Sequence, residues 1–61
     1  MIKKHAEFGN KLRLVRERKN MTLKDVAAKA GVSESLISQI ERNRVSPSID
    51  TLIAIANTLN I

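Results

Sequence analysis

Three observations in the sequence predict an all-α fold. Apolar residues recur at helical spacing in four groups, and nowhere do they alternate as in a half-buried strand. Residues that cap or end helices stand at the borders of these groups. The chain of 61 residues contains only two glycines and one proline, which is too few for the turns of an all-β fold. A chain of this length forms a single core, so we predict one domain over residues 1–61.

The first two helices are predicted over about residues 6–19 and 23–30. Their apolar stripes are Phe8, Leu12 and Val15 in the first helix and Leu23, Val26, Ala27 and Ala30 in the second. Thr22 and Asp25 form a capping-box pattern, because the hydroxyl can accept from a free N–H and an acid is favoured in the first turn. Asn20 and Gly31 follow the two helices, where the backbone commonly needs a positive φ.

The third and fourth helices are predicted over about residues 34–42 and 49–59. Their apolar stripes are Leu36, Ile37 and Ile40 in the third helix and Ile49, Leu52, Ile53, Ala56 and Leu59 in the fourth. Ser33 and Ser48 are the expected N-caps, and a helical wheel also places Ser33 on the core face of the third helix. Asn43 and Asn60 are the expected ends, and Pro47 interrupts the chain between the two helices.

The composition argues against an enzyme and against a membrane protein. The chain has no cysteine, and its single histidine, His5, lies in a polar N-terminal run where we expect it to be solvated. No His, Asp or Glu group has the spacing of a zinc site, and no glycine-rich loop is present to cradle a phosphate. The longest apolar run is far shorter than the roughly 20 residues of a membrane span. We therefore predict no catalysis, no cofactor, no metal, and a cytoplasmic, nucleoid-associated location.

The second and third predicted helices are joined by only about three residues around Gly31. A tight turn containing glycine is typical of two helices that cross steeply, as in the helix-turn-helix unit. Ala27 supplies a small side chain where these helices would approach each other, and Ile37 and Ile40 follow at the spacing of a buried stripe. The pattern favours a helix-turn-helix over a simple helical hairpin.

This pattern resembles the lambda-repressor/Cro-like helix-turn-helix proteins, also called the xenobiotic-response-element family. The matching residues are Lys11-Leu12-Arg13, Arg16, Met21-Thr22-Leu23, Val26-Ala27, Ala30-Gly31-Val32-Ser33, Ile37-Ser38-Gln39-Ile40-Glu41, Ser46-Pro47-Ser48, Leu52, Ala56 and Leu59. The resemblance covers about residues 7–61, although the family commonly has glycine where this chain has Asn20, Asn43 and Asn60. It implies a compact bundle of four to five helices that binds operator DNA as a regulator of prokaryotic or phage transcription.

The same resemblance bears on assembly. The family usually binds DNA as a homodimer, and the segment 35–41 followed by Ser46-Pro47-Ser48 looks most like regulators that carry a C-terminal cupin sensor domain. We expect this chain to be a DNA-binding domain excised from such a longer regulator. In isolation it is therefore expected to be a monomer or a weak dimer.

The third helix is the predicted reading helix, because the second helix of this motif enters the major groove with its outer face toward the bases. Gln39 can bond adenine bidentately, and Glu34 can accept from the N4 amino group of cytosine. Ser35 and Ser38 are short donor-acceptors that let the helix approach closely. Each of these residues also has an explanation that does not involve DNA, since exposed Ser and Gln are common and an acid at a helix start is stabilised by the helix dipole alone.

The charge is concentrated away from the predicted reading helix. Nine basic and three acidic side chains lie in residues 1–30, against two basic and three acidic in residues 31–61. This division is expected if phosphate contacts on one surface position the protein on DNA while a separate surface reads the bases. The predicted phosphate contacts are Lys11, Arg13, Lys24, Arg42, Arg44 and the backbone amide of Leu23 at the start of the second helix. Lys3 and Lys4 form either a loose basic arm or a frayed end.

The family resemblance also pairs Arg16 with Glu41. A bidentate arginine–carboxylate bond between them would fasten the first helix to the reading helix. Leu14 lies off the stripe of the first helix, and Ile55 lies at the edge of the stripe of the fourth. Ile55, Leu59 and Ile61 together are predicted to mark where a second copy or a missing segment of the longer regulator packs. Two copies would place their reading helices about 34 Å apart on a palindromic operator.

Two other functions stay open at this point. One is a protein–protein interaction adaptor, such as an antitoxin or coactivator, which would expose apolar or charged residues on the third helix. The other is an amphipathic membrane-surface peptide, which is disfavoured by a single aromatic residue, Phe8, and by the full set of turns and caps. The lack of aromatic platforms also argues against single-stranded RNA.

Overall fold

The computed structural model describes the backbone of residues 4–61 and the side chains of residues 8–61. Four helices make up this part of the chain: α1 (Lys4–Arg18), α2 (Leu23–Ala30), α3 (Glu34–Glu41) and α4 (Ile49–Leu59). Compared with the predicted ranges, α1 begins two residues earlier and ends one residue earlier, and α3 ends one residue earlier. Within the described residues no helix is long and apolar enough to span a bilayer. The predictions about Lys3, Lys4 and His5 concern side chains outside the described ones.

Side chains cap the starts of α2, α3 and α4. Thr22 Oγ1 accepts from the amide of Asp25 at 3.0 Å, and the Asp25 carboxylate accepts from the amide of Thr22 at 2.8 Å, which completes a capping box. Ser33 and Ser48 accept amide hydrogens in the first turns of α3 and α4 in the same manner. Ser33 is exposed, so its predicted place on the core face was wrong: the hydroxyl turns back to satisfy a backbone N–H.

Left-handed residues stand where the chain reverses direction. The φ angle is 57° at Asn20, 62° at Asn43, 62° at Asn60 and 76° at Gly31. Asparagine is the non-glycine residue that tolerates this region best, along with aspartate. The three asparagines, at positions where the family that the chain resembles commonly has glycine, therefore adopt the left-handed conformation that glycine readily allows.

The core lies between the four helices. α2 packs against both α3 and α4, and α1 packs against α3. The fully buried apolar side chains come from every helix and are Leu12, Val26, Ala27, Ile37, Ile40, Ile55 and Leu59. A shell of partly buried residues surrounds them, formed by Phe8, Val15, Met21, Leu23, Ala30, Val32 and Leu36.

The buried face of α4 differs from the predicted stripe. Ile55 is 1% exposed and Leu59 is fully buried, whereas Ile49 is 70% and Ile53 is 52% exposed. At about 100° per residue, positions 52, 55, 56 and 59 share one face of the helix, and positions 49 and 53 lie to its side. The prediction that Ile55 and Leu59 contact a second copy was therefore wrong, because both side chains fill the core. Ile61 is exposed, as is Leu14 on α1.

A glycine inside α1 brings that helix onto the end of α3. Gly9 is buried, and a β-carbon there would lie 2.7 Å from the carbonyl oxygens of Ile40 and Glu41 and would collide with the Asn43 side chain. Real β-carbons do not approach backbone oxygens this closely, so the contact needs glycine. Gly9 was not predicted to be important, although an isolated glycine within a helical pattern is a signal of close packing.

Candidate nucleic-acid interface

α2 and α3 form the two-helix unit that the sequence predicted. Three residues join them, and the first, Gly31, is left-handed with φ 76° and ψ 31°. The amides of Gly31 and Val32 both donate to the carbonyl oxygen of Ala27, at 2.9 and 3.0 Å, which closes the end of α2 tightly. A β-carbon at Gly31 would meet nothing within 4 Å. Glycine is therefore favoured there by the positive φ and not by a lack of space.

The two long faces of α3 differ in chemistry. Ile37 and Ile40 point into the core, whereas Glu34, Ser35 and Gln39 are exposed. The structure thus leaves three of the four predicted base-reading residues exposed, with Ser35 and Gln39 in contact and Glu34 about 140° of helical rotation from Gln39. The fourth, Ser38, is half-buried and so is less accessible than its place on the helical wheel suggested.

Two polar side chains on the outer face of α3 contact each other. Gln39 Nε2 donates to Ser35 Oγ at 3.4 Å, a long hydrogen bond between residues one turn apart on the helix. The pair forms although both side chains are exposed. Ser35 and Gln39 were predicted to be separate base-reading residues, and this contact between them was not predicted.

Arg16 joins three parts of the fold. Its Nε donates to Glu41 Oε2 at 2.7 Å and its Nη2 donates to Glu41 Oε1 at 3.1 Å, a bidentate pair between α1 and α3. Its Nη1 donates to the carbonyl oxygen of Met21 at 2.9 Å, just before α2. The two charged side chains are only 12% and 6% exposed. The hydrogen bond with Glu41 raises the pKa of Arg16 above its already high ordinary value, so the guanidinium stays charged.

The side chains predicted to contact phosphates are all exposed: Lys11, Arg13, Lys24, Arg42 and Arg44. They do not form one patch. Lys11 and Arg13 are two residues apart on α1, so about 200° of rotation separates them and they lie on opposite flanks of the helix. Arg13 Nε also lies 3.9 Å from Glu17 Oε2, one turn along α1. Arg42 and Arg44 follow directly after α3.

The start of α2 carries both free amides and an acid. The capping box uses the amides of Thr22 and Asp25, and the N–H groups of Leu23 and Lys24 have no protein acceptor within the described chain. The backbone hydrogen bond from Thr22, with its side-chain hydrogen bond, lowers the pKa of Asp25. A phosphate at Leu23 would therefore meet two amide donors and one nearby negative charge.

No group of three or more His, Asp or Glu side chains that could hold a metal ion occurs in the part of the chain with described side chains. The described polar side-chain atoms that are buried all have a hydrogen-bond partner. The interface is thus made of polar and basic surface residues on a fully satisfied interior.

Comparison with known proteins identifies the fold family. The sequence profile of the helix-turn-helix family matches residues 12–61, which include α2, α3, α4 and the second half of α1. The chain belongs to this helix-turn-helix family. Together with the four-helix architecture, this makes the chain a Cro/C1-type, lambda-repressor-like helix-turn-helix domain. The prediction of the fold class is therefore confirmed.

Three relatives are a repressor or transcriptional regulators by name. An immunity repressor protein of Bacillus phage phi105 is 38% identical over 53 residues, which are 87% of this chain and 37% of the repressor. The HTH-type transcriptional regulator DdrOP3 of Deinococcus deserti is 39% identical over 84% of this chain and 40% of its own length. The HTH-type transcriptional regulator SinR of Bacillus subtilis is 37% identical over 88% of this chain and 50% of its own length.

These relatives are transcriptional regulators and not enzymes. The matched helix-turn-helix domain spans half of their length or less. The similarity therefore concerns one domain of each relative.

Proposed function

We propose that this helix-turn-helix domain binds operator DNA sequence-specifically as part of a bacterial or phage transcriptional regulator, with α3 in the major groove. One observation carries the proposal: α3 is fastened to the fold through Ile37, Ile40 and Glu41 and presents short polar side chains on its opposite face. A face of this kind can approach base edges closely and can exchange hydrogen bonds with them. The names of the relatives support the same function.

On this proposal the outer face of α3 reads the bases. The Gln39 amide bonds an adenine through N6 and N7, and Glu34 accepts from a cytosine N4 amino group. Ser35 and Ser38 contribute short hydroxyls at the same surface. Ser38 is half-buried, so its part in base reading is the smallest of the four.

Basic residues around α3 hold the phosphates. Arg42 and Arg44 lie at the C-terminal end of α3, and Lys24 lies in the first turn of α2 beside the free amide of Leu23. Lys11 and Arg13 contribute from opposite flanks of α1, so they contact different phosphates. Because each neutralised phosphate releases counterions, affinity should fall steeply as salt rises.

The Arg16–Glu41 pair has a supporting role in this proposal. Arg16 of α1 bonds Glu41 of α3 and also the Met21 carbonyl oxygen just before α2. The pair therefore holds the reading helix at a constant angle to the body of the domain. The bound species is proposed to be a homodimer on a palindromic operator, with half-sites one DNA turn apart. A C-terminal cupin sensor in the longer protein, and a location at the nucleoid, stay predictions from the sequence.

Selection of binding sites from a random duplex pool tests the proposal. We expect one enriched motif, with two inverted half-sites if the domain pairs on DNA. The absence of any enriched sequence, with binding that depends on salt alone, would contradict sequence-specific function. It would favour the protein–protein adaptor, although the polar outer face of α3 does not suit that alternative.

Gln39→Ala gives the residue-level test. The substitution should cost roughly 1–3 kcal/mol of binding on the selected site and relax specificity at one base pair. The melting temperature should stay unchanged, because the side chain is exposed. Asn57→Ala, which removes an exposed amide from α4, is the matched control and should leave binding unchanged. An unaltered profile across all single-base variants of the site would remove Gln39 from the reading residues.

A further inference from the structure

We infer that Ser35 positions the Gln39 amide and does not read a base of its own, so that the two side chains recognise one A·T base pair as a unit. This inference rests on the proposed function, because it concerns how α3 would read DNA. It changes the number of base pairs that the outer face of α3 specifies.

The geometry that carries the inference is the hydrogen bond from Gln39 Nε2 to Ser35 Oγ at 3.4 Å. Gln39 has a long, exposed side chain, and such a chain loses much rotamer freedom when it is held against a ligand. A bond already present in the free domain removes part of that loss before DNA is bound. Its length indicates partial restraint while water competes for both groups.

The stereochemistry of the amide allows this bond and base reading at the same time. A primary amide has two N–H donors and one carbonyl acceptor. A bidentate contact with adenine uses the carbonyl oxygen, which accepts from N6, and the N–H on the same side, which donates to N7. The second N–H is left over and can donate to Ser35 Oγ. Ser35 therefore takes the one amide hydrogen that adenine does not use.

Spacing along α3 separates this inference from two independent readers. The four residues from Ser35 to Gln39 advance about 6 Å along the helix axis. Successive base pairs are about 3.4 Å apart. Two side chains one turn apart that each read a base would therefore address different base pairs, whereas a positioned pair addresses a single one.

The experiment compares the wild-type domain with Ser35→Ala, Gln39→Ala and the double variant on the selected duplex and on all its single-base variants. We expect Ser35→Ala to weaken binding roughly three- to tenfold, which corresponds to one ordinary net hydrogen bond. It should relax specificity at the same base pair as Gln39→Ala and at no other. The double variant should bind no more weakly than Gln39→Ala alone.

Two further variants act as controls. Ser38→Ala removes a neighbouring hydroxyl that makes no hydrogen bond with the Gln39 amide, so any effect should multiply with that of Gln39→Ala. Ser35→Thr keeps an acceptor at the same place and should recover most of the discrimination lost in Ser35→Ala. Melting temperatures of Ser35→Ala, Gln39→Ala and the double variant should match the wild type, since alanine is well tolerated on an exposed helix surface.

The outcomes separate this inference from the proposed function. If Ser35→Ala changes specificity at a different base pair, or if the losses multiply in the double variant, Ser35 reads DNA independently. The inference is then wrong while DNA recognition by α3 stands. If the wild-type domain enriches no sequence at all, both the inference and the proposed function are overturned.

Discussion

The inner and outer faces of α3 are held by interactions of very different strength. On the inner face Glu41 is 6% exposed and bonds Arg16 in two places, at 2.7 and 3.1 Å. On the outer face, the side-chain hydrogen bond found among the described residues is the 3.4 Å bond from Gln39 to Ser35, and both of these side chains are exposed. The position of the helix is thus decided on one face, and the other face can change without cost to the fold. This division is what a recognition helix needs.

Two of the three arginines of α1, Arg13 and Arg16, show the same contrast. The Arg16–Glu41 pair is 12% and 6% exposed, whereas Arg13 and Glu17 are 62% and 56% exposed and 3.9 Å apart. Water competes for an exposed pair and weakens its attraction, so such pairs contribute little to stability. A buried charge that loses its partner has no water to replace it.

Removal of Arg16 should have the largest effect on stability, because it removes the charged partner of Glu41 on the inner face of α3. Arg16→Ala leaves the Glu41 carboxylate buried without its partner and the Met21 carbonyl without its donor. We expect a loss of about 3 kcal/mol, the lower end of the range for buried pairs, because no charge lies far from water in so small a domain. Urea unfolding of the purified domain measures this loss.

Arg13→Ala is the matched control for that experiment. Arg13 lies on the same helix as Arg16 and is also paired with a glutamate, Glu17. Its removal should lower the free energy of unfolding by less than about 1 kcal/mol. Equal stability losses in the two variants would show that the burial of the Arg16–Glu41 pair is not what makes it important.

Gly9→Ala tests the close contact between α1 and the end of α3 and should have an intermediate effect on stability. In an exposed helix this change stabilises by about 1 kcal/mol. Here the new β-carbon would lie 2.7 Å from two backbone carbonyl oxygens at the end of α3, which cannot rotate away as a side chain can. Overpacking of this kind typically costs about 1–3 kcal/mol, so we expect a net loss of stability of up to about 2 kcal/mol.

The neighbouring residue supplies the control for Gly9. Asn10 is exposed on the same helix, and Asn10→Ala should be neutral or slightly stabilising because alanine has the higher helix propensity. A Gly9→Ala domain that unfolds at a higher urea concentration than the wild type would show that α1 and α3 can separate at no cost.

The smallest effect concerns an exposed carboxylate and sharpens the contrast with the buried Glu41. Hydrogen bonds from Thr22 lower the pKa of Asp25 below its ordinary value of 3.8. A group with a lowered folded-state pKa stabilises the fold fully above its unfolded value and loses that contribution as pH falls through the folded one. Asp25→Asn should therefore remove a small part of the acid destabilisation below about pH 4. Unfolding midpoints of the two proteins that fall in parallel from pH 5 to pH 2 would contradict this.

The local features of the fold could be predicted because their causes lie within a few residues of each other. The capping box of Thr22 and Asp25 spans one turn, and the left-handed positions at Asn20 and Gly31 follow from backbone sterics. The exposure of Ser35 and Gln39 follows from the helical period once Ile37 and Ile40 are buried. These features required no knowledge of how the helices pack.

Features that depend on a neighbouring helix could not be predicted in the same way. The apolar residues of α4 form two overlapping stripes, and packing in the core buries Ile55 and leaves Ile53 exposed. Gly9 gave only a weak signal, because its importance comes from the carbonyl oxygens of α3, more than 30 positions away. The half-burial of Ser38 and the bond between Ser35 and Gln39 depend on side-chain conformations that helical spacing does not specify.

The amino-acid sequence by itself determined the four helices, their bounds to within two residues, and which family the domain resembles, because caps, turns and periodicity act over one or two turns of chain. Only the tertiary structure decided which isoleucines of α4 are buried, how closely α1 approaches α3, and how the exposed side chains of α3 are arranged. The physical reason is that packing selects among several faces that periodicity alone leaves equally acceptable, and this selection needs the shape of the partner helix.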